Sequence, residues 1–195
     1  MERGAEQKAE SGEHIIVEVG CGTAPYIMDL SANYRKWLHA DPSRRYIGLD
    51  IDDADLVIGK MIGTNIHSQI LGIDKPKRVD FVQADGTKLP FADGFVSEVI
   101  FKNVAGDDQI DPQKRLEMLR EAARVLKPGG VMHLIEQFTP DVFQNSTLLQ
   151  DEISRMLASE FVSVRKKEVP ARQKATDSRM AEHITTVVTR LKKRG

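Results

Sequence analysis

Apolar residues in this chain come in two kinds of block, and the alternation between them sets the architecture. Short β-branched runs such as Ile15-Ile16-Val17-Glu18-Val19 read as buried strands, because a strand covered on both faces needs little polar alternation. Strands are expected on this pattern over His14–Val19, Arg45–Ile51, Val79–Gln83, Val96–Phe101 and Val131–Phe138. A final pair is expected over Phe161–Val169 and Ile184–Leu191, with a loop of about 14 residues between them. Between the strands, apolar residues recur at helical spacing. Helices are expected from about Pro25 to His39, from about Asp53 to Leu71, from Pro112 to Leu126, and over Thr147–Ser159. Gly59 and Gly63 weaken the second of these by about 1 kcal/mol each relative to alanine.

The punctuation agrees with the blocks. Asp41-Pro42-Ser43 and Lys75-Pro76-Lys77 are turn sequences, and Lys127-Pro128-Gly129-Gly130 is a helix stop of a basic residue followed by breakers. Strands alternating with helices imply an α/β domain with a doubly wound, Rossmann-like, mostly parallel sheet and helices on both faces. Residues 1–13 read as a polar lead-in, and 14–195 as a single domain. Ligands in such sheets bind outside the carboxyl ends of the strands, where the strand order reverses. Candidate chemistry therefore belongs at strand C-termini.

Those ends carry a consistent set. After the first strand, Gly20-Cys21-Gly22 forms a tight turn that lets a ligand approach the backbone, and the following helix start offers free N–H groups. Glu18 just before it would repel a pyrophosphate and suits a cationic ligand, which favours S-adenosylmethionine over a dinucleotide. Asp50 ends the second strand and can accept from both ribose hydroxyls, with Ile51 beside it covering an adenine face. Asp85 after the third strand can accept from the adenine amino group, Gly86 offers backbone contacts, and Asn103 after the fourth closes the floor.

With these residues in view, the chain resembles the class I S-adenosylmethionine-dependent methyltransferases, and most of all the small-molecule branch with ubiquinone-biosynthesis methyltransferases. Four blocks carry the resemblance in order: Val17–Thr23, Tyr46–Ile51, Ala84–Asp93 and Glu121–Gly130. It implies S-adenosyl-L-methionine as cofactor, held by Glu18, Gly20, Cys21, Gly22, Asp50, Ile51, Asp85, Gly86 and Asn103. It also implies seven strands with the last one antiparallel, and a small-molecule acceptor. Ala24 stands where the family usually has a third glycine, and Lys102–Gly106 is not the Pro-Pro-Tyr type of motif that amino-group DNA methylators carry.

Composition narrows the rest. With 195 residues, 41% apolar and 29% charged, the chain is that of a globular domain, and no apolar run approaches the roughly 20 residues of a membrane span. Cys21 is the sole cysteine, and the first residues lack an apolar signal core, so a reducing, cytoplasmic setting and no membrane partner are expected. No metal-ligand spacing is visible among the histidines. Net charge is −1, but the stretch from Phe161 to Gly195 holds ten Lys or Arg against three acids. That asymmetry motivates an alternative, an RNA or protein acceptor, and the bare core with Ala24 motivates a non-catalytic scaffold. The Lys166–Arg179 stretch is expected to overhang the substrate entrance as a lid. His133 is expected to be a satisfied core histidine, and Glu136, Asp107 and Asp108 to be solvated loop acids. No catalytic base and no oligomeric interface is readable.

Overall fold

The computed structural model of the chain describes residues 12–23, 41–61, 79–104, 110–138, 158, 161–170 and 185–194. Among these, seven strands form one sheet: β1 (His14–Val19), β2 (Arg44–Asp50), β3 (Val79–Gln83), β4 (Val96–Lys102), β5 (Leu126–Phe138), β6 (Phe161–Pro170) and β7 (Thr185–Lys193). The order across the sheet is β3-β2-β1-β4-β5-β7-β6. Neighbours from β3 to β5 pair in parallel, while β7 is antiparallel to both β5 and β6. The expected α/β sheet with an antiparallel last strand is borne out. Because the chain builds outward from β1 to β3 and then returns to place β4 on the other side of β1, the strand order reverses between β1 and β4.

Strand ends agree with the expected ranges to within one or two residues, except in β5. There the expected helix stop, Lys127-Pro128-Gly129-Gly130, is part of the strand. Leu126 pairs with Val96 and the next pair is Val131 with Glu98, so the four intervening residues bulge out of register. Gly129 takes φ +77°, and a Cβ on Gly130 would lie 2.8 Å from the Lys127 carbonyl oxygen. The breakers end the helix as expected, but they do so inside a bulged strand.

Two helices are described. α1 covers 53–61, and α2 is Pro112–Val125. Asp111 caps α2, its Oδ1 accepting the N–H groups of Gln113 at 2.9 Å and Lys114 at 3.1 Å. Met118, Leu119, Ala122, Ala123 and Val125 of α2 pack on one sheet face against Val17, Val19, Val99, Phe101, Met132 and Leu134. At the far end, Lys193 of β7 donates to the carbonyls of Ala123 and Leu126, both at 2.7 Å.

The opposite sheet face carries Ile16, Glu18, Tyr46 and Ile100, all buried. The helices expected over Pro25–His39 and, apart from Ala158, over Thr147–Ser159, and the second half of the one from Asp53, lie outside the described residues. On that face Glu98 joins three strands: Oε1 is 2.7 Å from His14 Nε2 and Oε2 is 2.7 Å from His133 Nε2. His133 is therefore satisfied, as its position in a strand leads one to expect, though by a carboxylate. Glu136 differs from expectation. It is a β5 residue only 2% exposed, because the strand runs on to Phe138 and places it on the same covered face as Met132 and Leu134. Among the described residues, no helix is long and apolar enough to cross a membrane.

Candidate functional site

A cavity of about 530 Å³ opens at the carboxyl edge of the sheet, at the point where the strand order reverses. Six of the residues expected at the site line it: Gly20, Asp50, Ile51, Asp85, Gly86 and Asn103. Their meeting follows from the parallel register, which brings the C-termini of β1, β2, β3 and β4 to one edge.

The turn after β1 is shaped by its glycines. Gly20 takes φ +70°, and a Cβ there would lie 2.7 Å from Val104 Cγ2, so the turn and the loop after β4 touch. Gly22 takes φ +53°, and its N–H donates to Asp50 Oδ2 at 2.7 Å. The other Asp50 oxygen accepts the Asp52 N–H at 3.1 Å. One carboxylate thus ties the glycine turn to the end of β2 while it lines the cavity. Among the described residues, Asn103 is the non-glycine residue with positive φ, +54°, and its N–H donates to the Ile135 carbonyl at 2.9 Å. Asn tolerates this left-handed conformation better than most side chains.

Asp85 begins an Asx turn in which Oδ1 accepts both the N–H and the hydroxyl of Thr87, each at 2.9 Å. Those hydrogen bonds, reinforced by the Lys114 ammonium, hold its carboxyl below the usual carboxylate range. Gly86 sits where nothing larger fits: a Cβ would come within 2.9 Å of both Met118 Cε and Val19 Cγ1.

Glu18, Cys21 and Gly22 are not among the described residues that line the cavity. Glu18 lies on the opposite strand face from Val19, 1% exposed, and accepts the Tyr46 hydroxyl. Lys102, two residues past its β4 partner Ile100 on the same face, feels its charge: burial lowers the Lys102 pKa and Glu18 opposes that shift. Cys21 is buried, and its N–H donates to the Leu49 carbonyl at 2.9 Å. Burial, then the charges of Glu18 and Asp50, push its thiol pKa up.

The cavity also has a wall that the sequence reading missed. Ile110, Asp111, Lys114 and Met118 face it from the start of α2, with Val19, Ala84 and Val104 between the expected residues. A signal was present at Lys114, a cation in the first helical turn where the macrodipole favours an acid. Three carboxylates against one ammonium make the described lining suit a ligand with positive charge. Of the lid expected over Lys166–Arg179, Lys166 and Lys167 lie in β6, and Arg172, Lys174 and Arg179 lie outside the described residues.

Comparison with known proteins agrees with this geometry. Residues 16–130 match the family model described as a methyltransferase domain. Over 125 residues the chain is 31% identical to a demethylmenaquinone methyltransferase of Lactococcus lactis, a match that covers 64% of this chain and 42% of that protein. The chain thus spans less than half the length of that relative. Among solved structures, an S-adenosylmethionine-dependent methyltransferase from Methanosarcina mazei superposes with TM-score 0.63 at 15% identity, covering 95% of each chain. A geranyl diphosphate C-methyltransferase from Streptomyces coelicolor, solved with S-adenosyl-L-homocysteine, superposes with TM-score 0.60 at 16% identity over 93% of this chain and 71% of that one. The four blocks, the sheet order and the family match lead to one assignment: the chain belongs to the methyltransferase-domain family.

Proposed function

We propose that the chain is an S-adenosylmethionine-dependent methyltransferase that acts on a small molecule, in the cytoplasm. The observation that carries this reading is the cavity edge on which the Gly20 turn, Asp50 and Asp85 converge. On this reading Asp50 takes the ribose hydroxyls, Ile51 covers one adenine face, Asp85 accepts the adenine amino group, and Asn103 with Val104 forms the floor. The surplus of carboxylates suits a ligand bearing an ammonium and a sulfonium. Glu18, held by Tyr46 beneath the turn, adds negative potential from below.

When bound, the cofactor supplies an activated methyl group on sulfur. The protein's part is mainly alignment, which in favourable intramolecular models is worth roughly 7–11 kcal/mol. Attack by a neutral acceptor would carry the positive charge from sulfur to the acceptor, which then loses a proton, so no oxyanion develops and the site needs no oxyanion stabiliser. The small-molecule acceptor is supported by what the relatives' names state, demethylmenaquinone and geranyl diphosphate methylation. An RNA acceptor rests on the basic stretch 161–195 alone, and it predicts RNA binding that weakens steeply with salt.

The test is calorimetric titration with S-adenosylmethionine and S-adenosylhomocysteine, followed by a methyl-release assay on fractionated small-molecule extracts. Binding of both ligands and release dependent on a low-molecular-weight fraction are expected. Failure to bind either ligand overturns the reading.

A further inference from the structure

Two of the sequence blocks, 84–93 and 121–130, meet at one carboxylate. Glu121 Oε1 accepts the Leu89 N–H at 2.8 Å and Arg124 Nη2 at 2.6 Å, while Oε2 accepts Arg124 Nε at 2.8 Å. Arg124 reaches further, donating to Asp93 Oδ1 at 2.5 Å and to the Leu89 carbonyl at 3.3 Å. The Gly94 N–H then donates to the Arg124 carbonyl at 3.1 Å. The loop that starts with Asp85 and Gly86 is thus fastened at Leu89, Asp93 and Gly94 to the last turns of α2.

Stability is one account of this arrangement, though not through Asp93, which is 81% exposed, since exposed ion pairs contribute little. The part-buried, bidentate Glu121–Arg124 pair also fixes position. The fastened loop supplies one wall of the cavity and α2 supplies the facing wall, through Lys114 and Met118. Met118 lies one helical turn before Glu121 and packs so closely on Gly86 that no Cβ fits between them. Contact at Gly86–Met118 and hydrogen bonding at Leu89–Glu121 together set the separation of the two walls.

We infer that Glu121 and Arg124 are positioning residues of the cofactor site, holding the Asp85–Gly86 loop at a set distance from α2 without touching the ligand. The inference rests on the adenosyl-ligand reading of the cavity. Arginine suits the role because its fork spans a carboxylate bidentately and still has donors for a second partner.

The test uses Arg124→Met, Glu121→Ala and Arg124→Lys. Hydrogen exchange at the Leu89 amide, which needs no ligand, is expected to accelerate in Glu121→Ala. Calorimetry with adenosine and with S-adenosylhomocysteine is expected to show both weakened by the same factor in Arg124→Met, about tenfold or more, since a displaced wall misplaces the ligand. Equal factors are the signature, because the homocysteine half is not held by this loop. Arg124→Lys is expected to recover part of the affinity. Unchanged Leu89 exchange in Glu121→Ala overturns the fastening itself. Faster exchange with wild-type affinity for both ligands in the variants overturns the positioning role. Absence of adenosine and S-adenosylhomocysteine binding by the wild-type chain overturns the cofactor reading, and it is distinguishable because the exchange result stands apart from it.

Discussion

The Asp50 carboxylate accepts one N–H from the glycine turn and one from Asp52 while lining the cavity. On the proposed reading its replacement removes a ligand contact, and it also loosens the turn that shapes the site. Asp50→Ala is expected to weaken S-adenosylhomocysteine binding by about 1–3 kcal/mol, the scale of a lost charged hydrogen-bonding partner. Asp50→Asn, which keeps one acceptor oxygen, is expected to lose less. Calorimetry of the three proteins side by side checks the ranking, and equal affinities would contradict it. Cys21, two residues from Val19, is a residue of the opposite kind. Buried, and with its thiol pKa pushed up by burial and by Glu18 and Asp50, it stays protonated at neutral pH. A colorimetric disulfide reagent is expected to label it slowly in the native protein and quickly in denaturant. Equal rates in the two states would refute its burial.

At the scale of elements, α2 is held at both ends by different means. Asp111 satisfies the first N–H groups, and the Lys193 ammonium from β7 satisfies the last carbonyls. A cation at a helix C-terminus also complements the macrodipole. Lys193→Met is expected to lower the free energy of unfolding by about 1–2 kcal/mol, since a charged donor to two carbonyls is lost. Urea unfolding checks this, and an unchanged midpoint with unchanged slope would show that the cap contributes nothing. The same contact ties the C-terminal strand pair to the helix that forms a wall of the cavity, so loss of the cap acts on more than the helix end.

For the whole molecule, Glu98 joins β1, β4 and β5 through two histidines. Burial raises its pKa, but hydrogen bonds from His133 and His14 outweigh that and bring it from the usual 4.5 down to about 2. A carboxyl depressed in the folded state binds its proton more readily when unfolded. Its stabilising contribution is therefore complete above pH 4.5 and is lost as pH falls toward 2. The side chain is 19% exposed, and a shift of this size corresponds to stability on the order of 3 kcal/mol. Unfolding free energy measured down this pH range is expected to fall more steeply for the wild-type chain than for Glu98→Gln. Parallel slopes would show that the cluster does not couple to folding.

Local pattern and chain order were enough to read the parallel sheet, the glycine turn, and the acids at the ends of β2 and β3. Each depends on a period of two or of 3.6, or on turn chemistry, within a few residues, and the right-handed crossover then brings every strand C-terminus to one edge. Three things needed the folded chain. Glu18 and Val19 are neighbours in sequence but point to opposite sheet faces, and only the packing shows that Val19 meets the cavity while Glu18 is taken by Tyr46. The Lys-Pro-Gly-Gly breaker lies inside β5, because register against β4 decides whether residues count as a turn or as a bulge. Asp111, Lys114 and Met118 reach the cavity because α2 lies across the loop after β3, held there by Glu121 and Arg124. The physical reason is common to all three. Sequence periodicity reports which side of an element is apolar, whereas what stands opposite that side depends on contacts between residues tens of positions apart, and those exist only once the sheet has formed.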